Sequence, residues 1–309
     1  MIGMATTEAN AVKGFQMKAE EQVRINKGML HGLWALTNRE LKKWYKVPVL
    51  LFLSIIQPVI WLGLFGKAMN FGALFTSTSF NIPGLNIPKA TLDQLATQAM
   101  LSTFGTTDYF SFLAVGMLSF IILFTAMFSG MSIVWDRRFG FLDKLLSTPV
   151  ARGSIVMGKV FSSVIRSLAQ AAIVLVVAVL LGMDTGRITV VGLAGTFLAL
   201  FLMAMGLSAL FLMLALRSTD WQSQMAIMNL LNLPLLFASN ALFPSKLMPA
   251  WLQVVAKLNP VSYATDAGRQ LLLGVPGFAS LGFDFLYLTA FAALFSGVGI
   301  FLSWRYLSR

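Results

Sequence analysis

The chain has 309 residues, of which 57 % are apolar and only 11 % charged, with a mean hydropathy of +0.78 and a formal net charge of +11. Soluble domains carry about 25 % charged residues, and disordered chains need low hydrophobicity with high charge; both classes are excluded, and an integral membrane protein remains. The lack of cysteine excludes disulfides, thiol catalysis and thiolate metal ligation, and the single histidine, His31, argues against a histidine metal site or a Ser-His-Asp triad.

Residues 1–28 are polar, mixed in charge and lack the apolar core of a signal peptide, so they read as a mobile cytoplasmic tail. Over 29–47, Leu30, Leu33, Trp34, Leu41, Trp44 and Tyr45 recur at helical spacing, with Arg39, Lys42, Lys43 and Lys46 on the rest of the surface. That pattern predicts an amphipathic interfacial helix on the inner leaflet, either a plain anchor or a lever coupled to a cytoplasmic partner.

Pro48 opens the first of six apolar stretches, about 48–69, 110–135, 155–182, 188–216, 222–243 and 281–304, within a membrane domain running to 309. They must be helices, because lipid offers the backbone no hydrogen bonds. The expected fold is therefore an all-α membrane protein with six spans. Gln57-Pro58 sits within the first span. The long external segment 70–108, with Pro83, Pro88 and an amphipathic stretch near 92–101, reads as a lid or cap.

Trp135 to Lys159 carries a short helix with Phe141, Leu142, Leu145 and Leu146 on one face, ended by Pro149 and Gly153. A plain reversal needs only a few residues. The insertion reads as a docking knob for another protein or as a helix lying on the membrane. Lys159 and Arg166, seven residues apart in span three, are expected to snorkel to headgroups. Ser163, Ser167 and Ala171 form a small-residue row for close helix packing.

Tight turns near 184–187 and 217–221 make spans three, four and five antiparallel neighbours. Asn229 and Asn232 in span five fall on one face, with Asn240 near its end. They serve interhelical hydrogen bonds or a substrate path. Pro244 and Pro249 then break the chain. Trp251, Leu252, Val254, Val255 and Leu258 mark one short helix, stopped by Asn259-Pro260, and a second runs to Gly274 with Asp266 placed to pair with Arg269 or Gln270. Both lie on the external side and can re-enter the membrane.

Of the 23 Lys and Arg residues, 17 fall on the side of the N-terminal segment, the 136–166 segment, Arg217 and the C-terminal tail. That places both termini in the cytoplasm of a multi-pass protein of the cell membrane. Insertion explains the basic excess without nucleic acid. Trp61, Trp135, Trp221, Trp251 and Trp304 sit near span ends as interface anchors. There is no G-x-x-x-x-G-K-[ST], H-E-x-x-H or G-x-S-x-G motif and no carboxylate cluster, so a translocation subunit fits better than an enzyme. The scarcity of mid-span charge disfavours an ion-coupled secondary transporter; that class and a membrane scaffold without transport are the alternatives.

Several motifs now occur in order: Leu33-Trp34-Ala35-Leu36-Thr37-Asn38-Arg39-Glu40-Leu41, Gln57-Pro58 with Phe65-Gly66, Asp136-Arg137-Arg138-Phe139-Gly140, Leu145-Leu146-Ser147-Thr148-Pro149, and Leu258-Asn259-Pro260-Val261-Ser262-Tyr263 with Arg269. In these the chain, from about residue 29, resembles the permease subunit of ABC type-2 exporters, in particular the daunorubicin-resistance permease group. The resemblance implies six helices per subunit, a dimer, and a separate ABC ATPase that carries ATP and Mg, leaving this chain without a cofactor. It assigns Phe139, Gly140, Phe141, Leu142, Asp143, Lys144, Leu145 and Leu146 to the helix that couples to that ATPase. The N-terminal helix, with Trp34, Arg39, Glu40, Lys42, Lys43 and Trp44, contacts it too. Trp251, Asn259, Pro260, Tyr263 and Arg269 belong to external helices that narrow the exit, and Gln57, Asn229, Asn232 and Asn240 are candidates for the translocation path. Amphipathic drugs, lipids or glycans are the implied cargo, moved outward. The long segment 70–108 departs from the family pattern.

Overall fold

The computed structural model describes residues 32–68, 89–148, 151–218 and 220–306, and every regular element among them is a helix. The predicted tail 1–28 and residues 69–88 of the external segment lie outside the described residues. In chain order the elements are α1 (32–45), α2 (Pro48–Trp61) with a π-helical continuation Leu62–Ala68, α3 (Lys89–Phe104), α4 (Tyr109–Arg138), α5 (Phe141–Leu146), α6 (Arg152–Leu180), α7 (Val190–Ala215), α8 (Trp221–Phe237), a 3-10 turn Ser245–Leu247, α9 (Ala250–Lys257), α10 (Pro260–Leu273) and α11 (Leu281–Tyr306). Among the described residues four stretches are long and apolar enough to cross a membrane: Gln94–Arg138, Arg152–Leu180, Val190–Ala215 and Leu281–Tyr306.

Helix ends follow local chemistry. Asp108 caps α4 by accepting from the backbone of Phe110 and Ser111, Thr189 caps α7 through Gly192 N, Asp220 caps α8 through Ser223 N, and Asn259 caps α10 through Val261 N. Pro48 and Pro260 occupy first-turn positions, where no N–H is missed.

α4 is apolar on all sides and is the axis of the bundle, packed by α6, α7, α8, α10 and the π-helical segment. α7 is its main partner and also carries α11, which is the most exposed of the long helices. Gly116 of α4 allows a close crossing: a Cβ there would collide with the Ala241 carbonyl.

The antiparallel order gives the bundle two ends. Arg137 donates to the carbonyls of Leu216 (2.7 Å) and Ser218 (2.8 Å), and the Arg217 guanidinium lies over the Tyr306 ring; with α1 and α5 these form a basic end. At the opposite end the amide of Asp184 donates to Ser111 Oγ, and Gly105, at φ +72°, packs under Val275.

Two predicted spans are corrected. The fifth, expected over 222–243, is helical only to Phe237, because Pro234 removes a backbone donor in the last turn and 238–243 adopt turns. Asn240 therefore sits in irregular backbone and not in a helix. The first, with Pro58 inside it, changes from α to π geometry at Leu62.

Candidate functional site

The basic end is held by a buried ion cluster from three helices. Asp136, near the end of α4, receives Lys159 Nζ of α6 at 2.6 Å on Oδ2. Its Oδ1 faces Lys43 Nζ at 3.4 Å and Arg39 Nη2 at 3.5 Å, both of α1. Glu40 of α1 accepts from Lys43 (3.0 Å) and Arg39 (3.1 Å) and lies 3.6 Å from Lys159. Ser132 takes a further proton of Lys159 at 3.1 Å. Two carboxylates thus meet three cations, with Asp136, Glu40 and Lys159 all buried. A buried charge persists only when paired this fully. The expected snorkelling of Lys159 is corrected: it points inward, because Asp136 lies across the α4–α6 crossing. Arg166, two turns further, has its Nε buried with no hydrogen-bond partner among the described residues.

α1 is consequently docked onto the bundle as well as basic on its outer side. Thr37 Oγ1 donates to Gly158 O at 3.3 Å, and Trp34 and Lys42 are exposed while Trp44 is half-buried. An open depression of about 680 Å3 along α1 is lined by Ala35, Asn38, Arg39, Lys42, Lys43, Lys46 and Val47.

The knob α5 exists as expected but faces the other way. Leu142 is buried and Leu145 and Leu146 pack against the core. Phe141 lies 3.4 Å beneath the Arg39 guanidinium, a cation–π contact that ties α5 to α1. The apolar face expected to meet a partner is used by the bundle itself. Outward the knob presents Phe139, 69 % exposed and stacked on Trp135, with Asp143 and Lys144. Gly140, at φ +65°, turns the chain between them.

The opposite end is held by one cation on backbone. Arg269 of α10 is buried; Nη1 donates to Asn240 O (2.6 Å), Nη2 to Ala241 O (2.9 Å) and Phe112 O (3.1 Å), and Nε to Phe112 O (3.3 Å). Asn259 Nδ2 donates to the carbonyls of Leu235 and Ala238, each at 2.7 Å. These two side chains satisfy the backbone that α8 leaves unpaired. Tyr263 donates to Lys257 O at 2.6 Å and stacks on Tyr287, while Trp251 is exposed. The expected pairing of Asp266 resolves to Gln270 (3.1 Å), whose Nε2 also reaches Asp284 at 2.8 Å.

Against this geometry, the profile of the family described as ABC-2 type transporter matches residues 31–273. The chain belongs to the ABC-2 type transporter family. It is similar to ycf38 of Cyanophora paradoxa, named as a transport permease, at 31 % identity over 77 % of this chain and 73 % of that one. The daunorubicin resistance ABC transporter permease protein DrrB1 of Streptomyces coeruleorubidus is 25 % identical over 62 % of this chain and 68 % of its own. YbhR of Escherichia coli K12, named as a multidrug ABC transporter permease, is 30 % identical over 54 % and 45 %. The protein is thus a multi-pass membrane permease of a family that works with an ABC ATPase subunit.

In this ABC-2 protein the candidate path residues do not form one group. Gln57 and Asn229 are exposed, whereas Asn232 is buried with Gln224, Met228 and Leu236 on the face of α8 that packs on α4. The shared face expected for Asn229 and Asn232 is thereby divided. Asn232 Oδ1 and both polar atoms of Gln224 are buried without partners among the described residues. Asp136, Lys159 and Asp284 are the residues whose placement sequence reasoning missed, whereas the Asp266–Gln270 pairing was one of its two alternatives. A lone acid inside an apolar stretch, as at Asp284, was the available signal.

Proposed function

We propose that this chain is the membrane subunit of an ATP-driven exporter, with six spans, both termini cytoplasmic, a second permease copy beside it and an ABC ATPase against the basic end. The helix over 48–68 and α8 complete the six: 21 and 17 helical residues reach roughly 30 and 25 Å. The observation that carries the reading is the bracing of α5. Arg39 clamps Phe141 while Glu40, Asp136 and Lys159 join α1, α4 and α6, so a push on the exposed Phe139–Lys144 surface moves three helices together. A two-state coupling needs such a connected element. The basic depression along α1 suits anionic lipid headgroups beside the ATPase. Daunorubicin resistance and multidrug transport in the relatives' names support an amphipathic drug as cargo, with lipids or glycans in the same class.

Purification of the tagged chain from its host in mild detergent tests the reading. The expected result is a stoichiometric cassette ATPase whose recovery falls at least about tenfold in the Phe139→Asp, Lys144→Glu variant, with unchanged melting. No ATPase under several gentle conditions, with flux driven by an ion gradient instead, would overturn it in favour of a secondary transporter.

A further inference from the structure

At the end of the bundle opposite to the ion cluster, a cavity of about 380 Å3 opens between the last turn of α3, the start of α4 and the loop after α10. That volume is within the range of small-molecule sites, about 300–1,000 Å3. The buried guanidinium of Arg269 forms part of its wall. Four of its five N–H donors go to backbone carbonyls, which leaves one Nη1 hydrogen. Among the described residues no carboxylate lies within ion-pair distance of it. Asp266, also in the wall, is spent on other donors: Oδ1 accepts from Phe278 N, and Oδ2 from Ala279 N and Gln270. Carbonyl dipoles solvate a guanidinium without cancelling its charge, and Asp266, whose field acts on Arg269, makes no hydrogen bond to it, so the pairing of this buried cation is incomplete.

A second observation points into the same space independently. Asn240 is 5 % exposed, lines the cavity, and its Oδ1 has no hydrogen-bond partner among the described residues. A buried amide oxygen left this way calls for a donor. At the rim, Lys246 is exposed and its Nζ donates to Ser102 O at 3.1 Å. Phe104, Phe112 and Phe278 give the lining its apolar surface. The charged groups of the wall and rim, Arg269 and Lys246 against Asp266, sum to one positive charge.

We propose that this cavity binds a small anionic amphipath, a molecule with one carboxylate, sulfate or phosphate group on an aromatic or aliphatic body. The acid group sits between Lys246 Nζ and the remaining Nη1 hydrogen of Arg269, the body lies against the phenylalanine rings, and a hydroxyl or amide donor meets Asn240. The site belongs to a single chain and requires neither ATP nor an ATPase, so it stands or falls apart from the exporter reading.

Calorimetric titration of the full chain in phosphatidylcholine nanodiscs with 2-naphthoate, and with neutral 2-naphthamide, tests it. The expected result is saturable binding of naphthoate at one site per chain, at least about tenfold tighter than the amide, since a charge-assisted hydrogen bond is worth roughly that factor. Lys246→Gln, an exposed change, should remove that preference and leave the amide unaffected, and Asn240→Ala, which takes away the acceptor for the amide NH2, should weaken the amide and not the acid. Soluble dihexanoyl phosphatidylglycerol that competes where dihexanoyl phosphatidylcholine does not assigns the occupant to membrane lipid; failure to compete assigns it to a solute. Absence of saturable naphthoate binding, equal affinity for acid and amide, or a preference that survives Lys246→Gln would overturn the proposal.

Discussion

The two ends of this bundle solve the same problem in different ways. Each must hold several chain segments at a place where helices stop. The basic end uses ionised side chains against one another: Asp136 and Glu40 against Lys159, Lys43 and Arg39, drawn from three helices. The opposite end uses Arg269 and Asn259 against backbone carbonyls of 112, 235, 238, 240 and 241. A network of side chains can be replaced as a unit, because removing both partners removes both desolvation penalties. Backbone carbonyls cannot be removed by substitution. The basic end is therefore interchangeable in chemistry, and the opposite end is dependent on one guanidinium.

The largest effect should come from breaking the dependent end. Arg269→Leu strands the buried Asn240 and Ala241 carbonyls, each costing about 1–3 kcal/mol, and removes a further bond to Phe112 O, so a loss of up to about 6 kcal/mol is expected. Thermal unfolding in detergent and limited proteolysis within 238–249 would both show it. Arg269→Lys should recover only part, since an ammonium cannot fork across several acceptors. Full recovery by lysine would contradict the account given of this end.

Next in size is the ion cluster. Asp136→Leu leaves Lys159 buried with Ser132 Oγ and, as its one carboxylate among the described residues, Glu40 at 3.6 Å, and should cost about 3–5 kcal/mol. The double variant Asp136→Leu, Lys159→Met leaves Glu40 with Arg39 and Lys43 and should regain most of that loss. If the double variant melts no higher than the single one, the cluster is not a replaceable unit and the contrast between the ends fails.

How far this was legible in the sequence depended on the range of each interaction. Asp108, Thr189, Asp220 and Asn259 act within three residues of themselves, so the helix starts they define lay within reach of the sequence although none is named there as a cap. The two short helices after Pro249 and the knob after Gly140 were legible for the same reason. The side that each helix presents was not. The apolar face of α5 read as meeting a partner or lying on the membrane, and the burial of Leu142 with the position of Arg39 over Phe141 turns it to the bundle instead. Lys159 read as snorkelling because its partner Asp136 lies 23 residues away across a crossing of two helices. Asp266, expected to pair with Arg269 or Gln270, takes Gln270, while Arg269 turns to carbonyls, two of which are free because α8 ends at Phe237. Pro234 signalled a disturbed helix, but not which side chain would repair it.

A smaller effect tests the close crossing next to Arg269. Gly116→Ala places a methyl against the Ala241 carbonyl that Arg269 binds. Overpacking of this kind costs about 1–3 kcal/mol. The added Cβ also comes within 3.2 Å of Arg269 Nη2, so naphthoate affinity should fall with it. The same substitution should leave the basic end intact, and recovery of the ATPase should not change. A loss of ATPase recovery equal to that of Phe139→Asp, Lys144→Glu would show that the two ends are rigidly linked.

The smallest expected effect concerns acid, and it separates exposed from buried charge at the basic end. Asp220, in the turn between α7 and α8, accepts from Ser223 N at 2.8 Å and Ser223 Oγ at 2.6 Å, and these bonds hold its carboxyl below the usual range. A carboxyl with a depressed folded value stabilises the fold at any pH above its unfolded value. That contribution is lost as pH falls from the ordinary carboxylate range through the lower folded one. Asp220→Ala should therefore lower the melting temperature slightly at neutral pH and make no difference in strong acid, where both proteins have lost the cap. Because Asp220 is exposed, salt should reduce the effect, while the buried Asp136–Lys159 pair is screened far less. An Asp220→Ala deficit that persists unchanged in strong acid would mean that packing, and not the ionised cap, fixes the start of α8.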